Sequence, residues 1–217
     1  MARRNNRKKN DDRPLVTSRT VAFVVVALAV GGLVSVRFGL GPGDDREETA
    51  IESAAAVDPA PALPEPPPFL GPAAELENID GWINSDATGL QSYSGQVRIV
   101  QFWTFGCFNC KNTLPHLKEI YNRWQPQGLE IIGVHAPEFD YEADPNNVSK
   151  GVVELGVTWP VALDTSKTNF RSWQGNRRFW PRTFVLDQND QIRFDHIGEG
   201  AYDELEATVA HLIENGA

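Results

Sequence analysis

Cys107 and Cys110 are the only cysteines among 217 residues, and they sit in the stretch FWTFGCFNCKNTLP, residues 102–115. A Cys-x-x-Cys pair serves four chemistries: a redox dithiol, half of a zinc site, a haem tether or a small structural disulfide. A c-type haem tether requires histidine directly after the second cysteine, and here Lys111 follows. A four-cysteine zinc site needs a second pair, which the sequence lacks. A mixed site would have to recruit His116 or His135, and no closely spaced histidine pair supports one. A disulfide closing so short a loop adds little stability, because the entropic gain grows with loop length.

The redox dithiol fits the elements that must hold it. VRIVQFW (97–103) is a short β-rich apolar run and reads as a buried strand. A helix follows the first cysteine and runs to about Trp124, interrupted at Pro115. Cys107 therefore ends a strand-loop and starts a helix. A helix N-terminus favours anions, which lowers the thiol pKa and enriches the thiolate nucleophile. Cys110, one turn further on, is placed to resolve a mixed disulfide and is expected to be the more buried of the two.

LEIIGVH (129–135) and WPVALD (159–164) read as further strands. ADPNNVSKGVVELG reads as a helix, with Asp144 as cap, Pro145 in the first turn and Gly156 at the end. TSKTNFRSWQG is a helix ended by Gly175. RTFVLD and QIRFDHI form a hairpin about Gln188-Asn189-Asp190, and AYDELEATVAHLIENG is the last helix, with Leu205, Val209, Leu212 and Ile213 on its apolar face. Alternating strands and helices with a terminal hairpin predict an α/β domain over residues 73–217, a central mixed sheet flanked by helices.

The preceding residues are of another kind. Residues 1–19 hold seven basic residues against two acids, although the whole chain has a formal net charge of −9. A basic head on an acidic body argues against nucleic-acid binding. TVAFVVVALAVGGLVSV (20–36) has no charge, and Leu40 can extend the run while Arg37 snorkels. Residues 20–40 are thus expected to form one transmembrane signal anchor, with 1–19 cytoplasmic and the remainder extracytoplasmic by the positive-inside rule; the rival reading is a cleaved signal peptide, for which Ala29-Val30-Gly31 offers a small-residue site. Residues 41–72 carry eight of the fifteen prolines and read as an extended acidic linker.

FWTFGCFNCKNTLP resembles the active site of the thioredoxin superfamily, with Trp103 before the loop and Lys111 and Pro115 at the family's lysine and helix-proline positions. Trp180-Pro181-Arg182-Thr183 resembles its cis-proline loop, which implies a cis Pro181 and a backbone presented to the substrate chain. GWIN (81–84), IIGVHAPEF (131–139), DPNNV (144–148), PVALD (160–164), FWP (179–181) and GEG (198–200) are similar to the TlpA/ResA-like extracytoplasmic thioredoxins, and among them to the thioredoxin-like module of DipZ proteins. These motifs span about residues 78 to 205.

The resemblance implies a thioredoxin-like fold and a thiol-disulfide oxidoreductase. Cys107 would be its nucleophile and Cys110 its resolving thiol, and their redox-active disulfide would be the only prosthetic element. Clients would be protein disulfides, reduced for example in cytochrome c maturation. Because this chain has one apparent span, electrons would come from a membrane partner such as a CcdA/DsbD-like protein. The resemblance also aligns Glu138 with an active-site-cavity glutamate and gives it a role in proton movement at Cys110. His135 ends its strand near the same edge. Two departures stand out: Gln101 occupies the position of a buried acid, and Gly106 replaces a tryptophan, which is expected to widen access. Two other functions share the fold. A thiol peroxidase would use Thr104 beside Cys107, but Val100 stands where that motif has proline. A Sco-like copper carrier would need a third intervening residue between the cysteines and a histidine between His135 and His196.

Overall fold

The computed structural model describes residues 63 and 65–216. Seven strands form one sheet: β1 (Gly71–Pro72), β2 (Trp82–Ile83), β3 (Val97–Trp103), β4 (Leu129–His135), β5 (Val161–Leu163), β6 (Arg182–Leu186) and β7 (Gln191–Ile197). Their order is β1-β7-β6-β3-β4-β5-β2. β3 lies parallel to β4 and antiparallel to β6, so the sheet is mixed. Four helices cover it: α1 (Phe108–Trp124), α2 (Pro145–Glu154), α3 (Thr168–Gln174) and α4 (Tyr202–Asn215).

Every residue of β3 is buried, as a central strand covered on both faces must be. Val97, Ile99 and Trp103 point to the face packed by α1, α2 and α4, together with Leu117, Val152 and Val209. Val100 and Phe102 point to the other face, against Ile132, Phe170 and Phe184. This alternation fixes the register, because a one-residue slip would exchange the two cores. It also fixes the place where β3 ends and the Cys107 loop begins.

The expected elements are present, with three differences. α1 is continuous through Pro115. The proline removes one backbone donor, but Leu114 and Leu117 are buried on either side and hold the turns together. The domain also begins before residue 73. Gly71–Pro72 pairs with β7, and the Arg193 guanidinium donates to the Pro67 and Pro68 carbonyls at 2.7 and 3.2 Å. The proline-rich stretch therefore ends docked on a sheet edge. Trp82 and Ile83, within GWIN, form an edge strand on β5 that two residues were too few to announce. The expected cytoplasmic segment 1–19, the anchor at 20–40 and most of the linker lie outside the described residues. Among the described residues no helix is long and apolar enough to cross a membrane.

Candidate active site

β3 delivers the chain to the helix start. Cys107 is the N-cap of α1 in extended conformation, and its Sγ accepts the Cys110 N–H at 3.3 Å. Cys107 is half-buried and Cys110 fully buried, both as free thiols. Their acidities diverge accordingly. The Cys107 thiol is lowered to about 7, first through the hydrogen bond from the Cys110 side chain and then through backbone donors at the helix start, against the opposing effect of burial. The Cys110 thiol is pushed up, first by burial and then by its bond to Cys107. The pair is thus one ready thiolate over one retained proton.

The Trp180–Pro181 peptide bond is cis. The Trp180 carbonyl oxygen lies 3.9 Å from Cys107 Sγ, so this loop faces the exposed sulfur with backbone. Trp180 is held by stacking on Phe170 at 4.2 Å and by donating its Nε1–H to the Ala136 carbonyl at 2.9 Å. The Gly198 N–H closes on the Pro181 carbonyl at 2.8 Å, which ties the GEG loop to the same place. Around Cys107 opens a cleft of about 470 Å³, walled by Phe108, Glu138, Phe139, Phe179 and Trp180. Phe108, Phe139 and Phe179 are exposed. Trp103, by contrast, is buried beneath the site, edge-on to His135. Lys111 is exposed on the first turn of α1 and Pro115 on the second.

Glu138 lines the cleft with its carboxylate exposed, and its charge pushes both thiols upward as a minor influence. It makes no hydrogen bond to either sulfur among the described residues. Gln101, at the position expected of a buried acid, serves as a strut. Its amide donates to Thr113 Oγ1 at 3.1 Å, and that hydroxyl donates to the Cys110 carbonyl at 2.7 Å. β3 is thereby tied to the first turn of α1. His135 is buried, and its Nε2 lies 3.1 Å from Thr104 Oγ1. Burial lowers His135 to about 4, so the imidazole is neutral at neutral pH. Thr104 is thus directed at a histidine, away from the role that a peroxidase site would give it beside the reactive sulfur.

Sequence reasoning missed Glu142. It is fully buried, between the loop acids Asp140 and Asp144. Its Oε2 accepts the Glu138 and Phe139 N–H groups at 2.7 and 3.0 Å. Its Oε1 packs against the Cα of Gly106, where any side chain would collide with it and come within 2.6 Å of the Tyr141 hydroxyl. The side-chain space at Gly106 is therefore taken by Glu142, while Gly106 itself lines the Cys107 cleft. The space of a larger residue is filled by the 138–142 loop. No local pattern signals this, because Gly106 and Glu142 belong to loops after different strands.

A mixed sheet with a dithiol at the start of its first long helix and a cis-proline loop opposite defines a thioredoxin-like dithiol domain. A model described as the AhpC/TSA family matches residues 71–195, more than half of the chain, and the chain belongs to that family. Protein DipZ of Mycobacterium tuberculosis is 36% identical over 149 residues, 67% of this chain and 21% of DipZ. The chain thus spans about a fifth of the length of that relative. The thiol-disulfide oxidoreductase YkuV of Bacillus subtilis is 25% identical over 142 residues, 65% of this chain and 94% of YkuV. The crystal structure of a thioredoxin-like superfamily protein aligns with a TM-score of 0.61 at 20% identity, over 68% of this chain and 99% of that one, and shares the fold.

Proposed function

We propose that the protein is a thiol-disulfide oxidoreductase that reduces protein disulfides, with Cys107 as nucleophile and Cys110 as resolving thiol. The observation that carries this reading is the asymmetry of the pair: a half-exposed thiol lowered to about 7 above a buried thiol that keeps its proton. The similarity to the thiol-disulfide oxidoreductases YkuV and ResA supports it.

The Cys107 thiolate attacks one sulfur of a client disulfide. The client S–S bond breaks, its second sulfur leaves as a thiolate and takes a proton, and a mixed disulfide forms at Cys107. Cys110 then gives up its proton and attacks Cys107 Sγ, which releases the first client sulfur as a thiol. Two electrons pass to the client, one of its two protons comes from Cys110 and the other from water, and the Cys107–Cys110 disulfide is left. Once Cys107 is covalently bound it no longer offers a charge for the Cys110 proton to stabilise, while burial still holds that proton in place. A base is needed there, and Glu138, on the wall of the same cleft, is assigned to accept it. Trp180 and Pro181 present backbone to the client, Trp103 supports the loop from below, and Lys111 and Pro115 belong to the helix that carries both thiols.

Turnover needs a dithiol donor. With residues 20–40 as a membrane anchor and the catalytic domain extracytoplasmic, that donor is a membrane protein of the CcdA/DsbD-like class. The clients are then disulfides formed outside the cytoplasm, cytochrome c precursors among them. A Cys110→Ser variant tests the chemistry. It should accumulate a one-to-one mixed disulfide through Cys107 that dithiothreitol releases, and the wild-type couple should have a potential near thioredoxin's value of about −270 mV. A variant that traps nothing, in a protein that reduces no disulfide, would sink the assignment. A potential near about −120 mV would reverse its direction.

A further inference from the structure

Residues 165–186 carry five cations, Lys167, Arg171, Arg177, Arg178 and Arg182, and not one acid, in a chain with a formal net charge of −9. Arg182 is occupied by Asp195, which accepts from its Nε and Nη2 at 2.7 and 2.6 Å. The other four make no ion pair among the described residues. Lys167, Arg171 and Arg178 line a cleft of about 380 Å³ with Phe170 and Trp180, whose stacked rings form its apolar wall. Arg178 and Trp180 also wall the Cys107 cleft, so the two clefts adjoin at the cis-proline loop. Glu138 lines the Cys107 cleft as well. The reactive sulfur therefore sits in a cleft with a carboxylate among its walls, and that cleft opens onto a group of cations.

We infer that the basic cleft receives an acidic side chain of the protein client, a few residues from the client's reacting cysteine. This rests on the thiol-disulfide exchange reading. Unpaired cations of one sign focus a field that attracts an anion. Arg171 and Arg178 are exposed and Lys167 half-buried, so the cleft cannot desolvate a free small anion. An exposed ion pair contributes little by itself. It becomes effective when its anion is tethered to a chain already held at Cys107, because the second contact is then intramolecular. The cleft thus selects among clients and sets the direction in which a client segment crosses the thiol, with acids toward α3 and away from Glu138.

The test uses the reduced full-length chain and disulfide-bridged peptides of one length, with Asp/Glu, Asn/Gln or Lys residues flanking the cystine. Hydroxyethyl disulfide serves as a neutral small substrate and oxidised glutathione as an anionic one. The acidic peptide should be reduced with a kcat/KM about tenfold above the neutral peptide, an advantage that fades as salt is raised. In Lys167→Gln/Arg171→Gln, which removes both charges and keeps only part of each stem, the ratio of acidic to neutral rates should fall toward one. In Lys167→Glu/Arg171→Glu the Lys-flanked peptide should become the better substrate. Equal rates for all three peptides, with hydroxyethyl disulfide still turned over, would overturn the inference and leave the exchange activity standing. An equal, salt-sensitive advantage for oxidised glutathione over hydroxyethyl disulfide would overturn it in favour of a small-anion site. Failure to reduce any disulfide would remove the exchange reading and this inference together.

Discussion

Cys107 and Cys110 are the same residue type three positions apart at one helix start, yet they hold their protons very differently. The division is made by a single shared proton. Cys110 keeps it because burial penalises its thiolate, and by donating it stabilises the Cys107 anion. The backbone N–H of Cys110 adds a second donor at 3.3 Å. The iodoacetamide reactivity of Cys107 should therefore rise with pH through a midpoint at about 7. In Cys110→Ala the backbone donor survives and the thiol donor is lost, so the midpoint should move up toward the ordinary value of 9.0. Cys110→Ser, which keeps a hydroxyl, should move it less. A midpoint unchanged in Cys110→Ala would mean that the helix terminus alone sets the acidity of Cys107.

The loop before α1 and the loop after β4 are built as one unit, and the Gly106–Glu142 contact joins them. Gly106→Ala forces a methyl into the Glu142 carboxylate and should destabilise the protein by about 1–3 kcal/mol, as overpacking does. Glu142→Ala strips two loop N–H groups of their acceptor and should cost a similar amount, about 1–3 kcal/mol. If the two residues meet as described, the double variant in urea melts should cost less than the sum of the singles by more than about 0.5 kcal/mol. Strict additivity would show that they do not share space. The long strands β3 and β4 were legible in the sequence to the residue, because a run buried on both faces is mostly apolar and β-branched even where Arg98, Gln101 or Glu130 interrupts it. So were Asp144 as the cap of α2 and Gly175 as the end of α3, since each is a local requirement of a helix terminus. Glu142 was not legible, because in sequence it is one acid among several in an exposed-looking loop. Gly106 was misread for the same reason: its neighbour in space is 36 positions away. Pro115 was read from its local cost alone, whereas packing on both sides of it decides the outcome.

At the scale of the whole molecule, the groups buried to build the two cores set how the domain responds to acid. His135 sits between Trp103 and Phe105, with its Nε2 toward Thr104, and burial lowers it from 6.5 to about 4. Between those values the unfolded chain binds a proton that the native state refuses. His135 therefore contributes its full stability above pH 6.5 and loses it as pH falls toward about 4. Asp164 and Glu130, raised by burial, act with the opposite sign, since the native state holds their protons longer and they favour folding at lower pH. The acidic surface also repels itself less as pH approaches the isoelectric point of about 4.9. Against both trends, His135 alone should remove about 2 kcal/mol of stability between about pH 7 and about pH 5. The comparison that isolates it is His135→Gln, which offers Thr104 a neutral partner and cannot be protonated. The variant should be less well packed and less stable at neutral pH, but its unfolding free energy should fall less steeply on acidification than that of the wild type. Parallel stability curves for the two proteins between about pH 7 and about pH 5 would mean that the imidazole takes up its proton inside the fold, and that the pocket behind Cys107 is open to water.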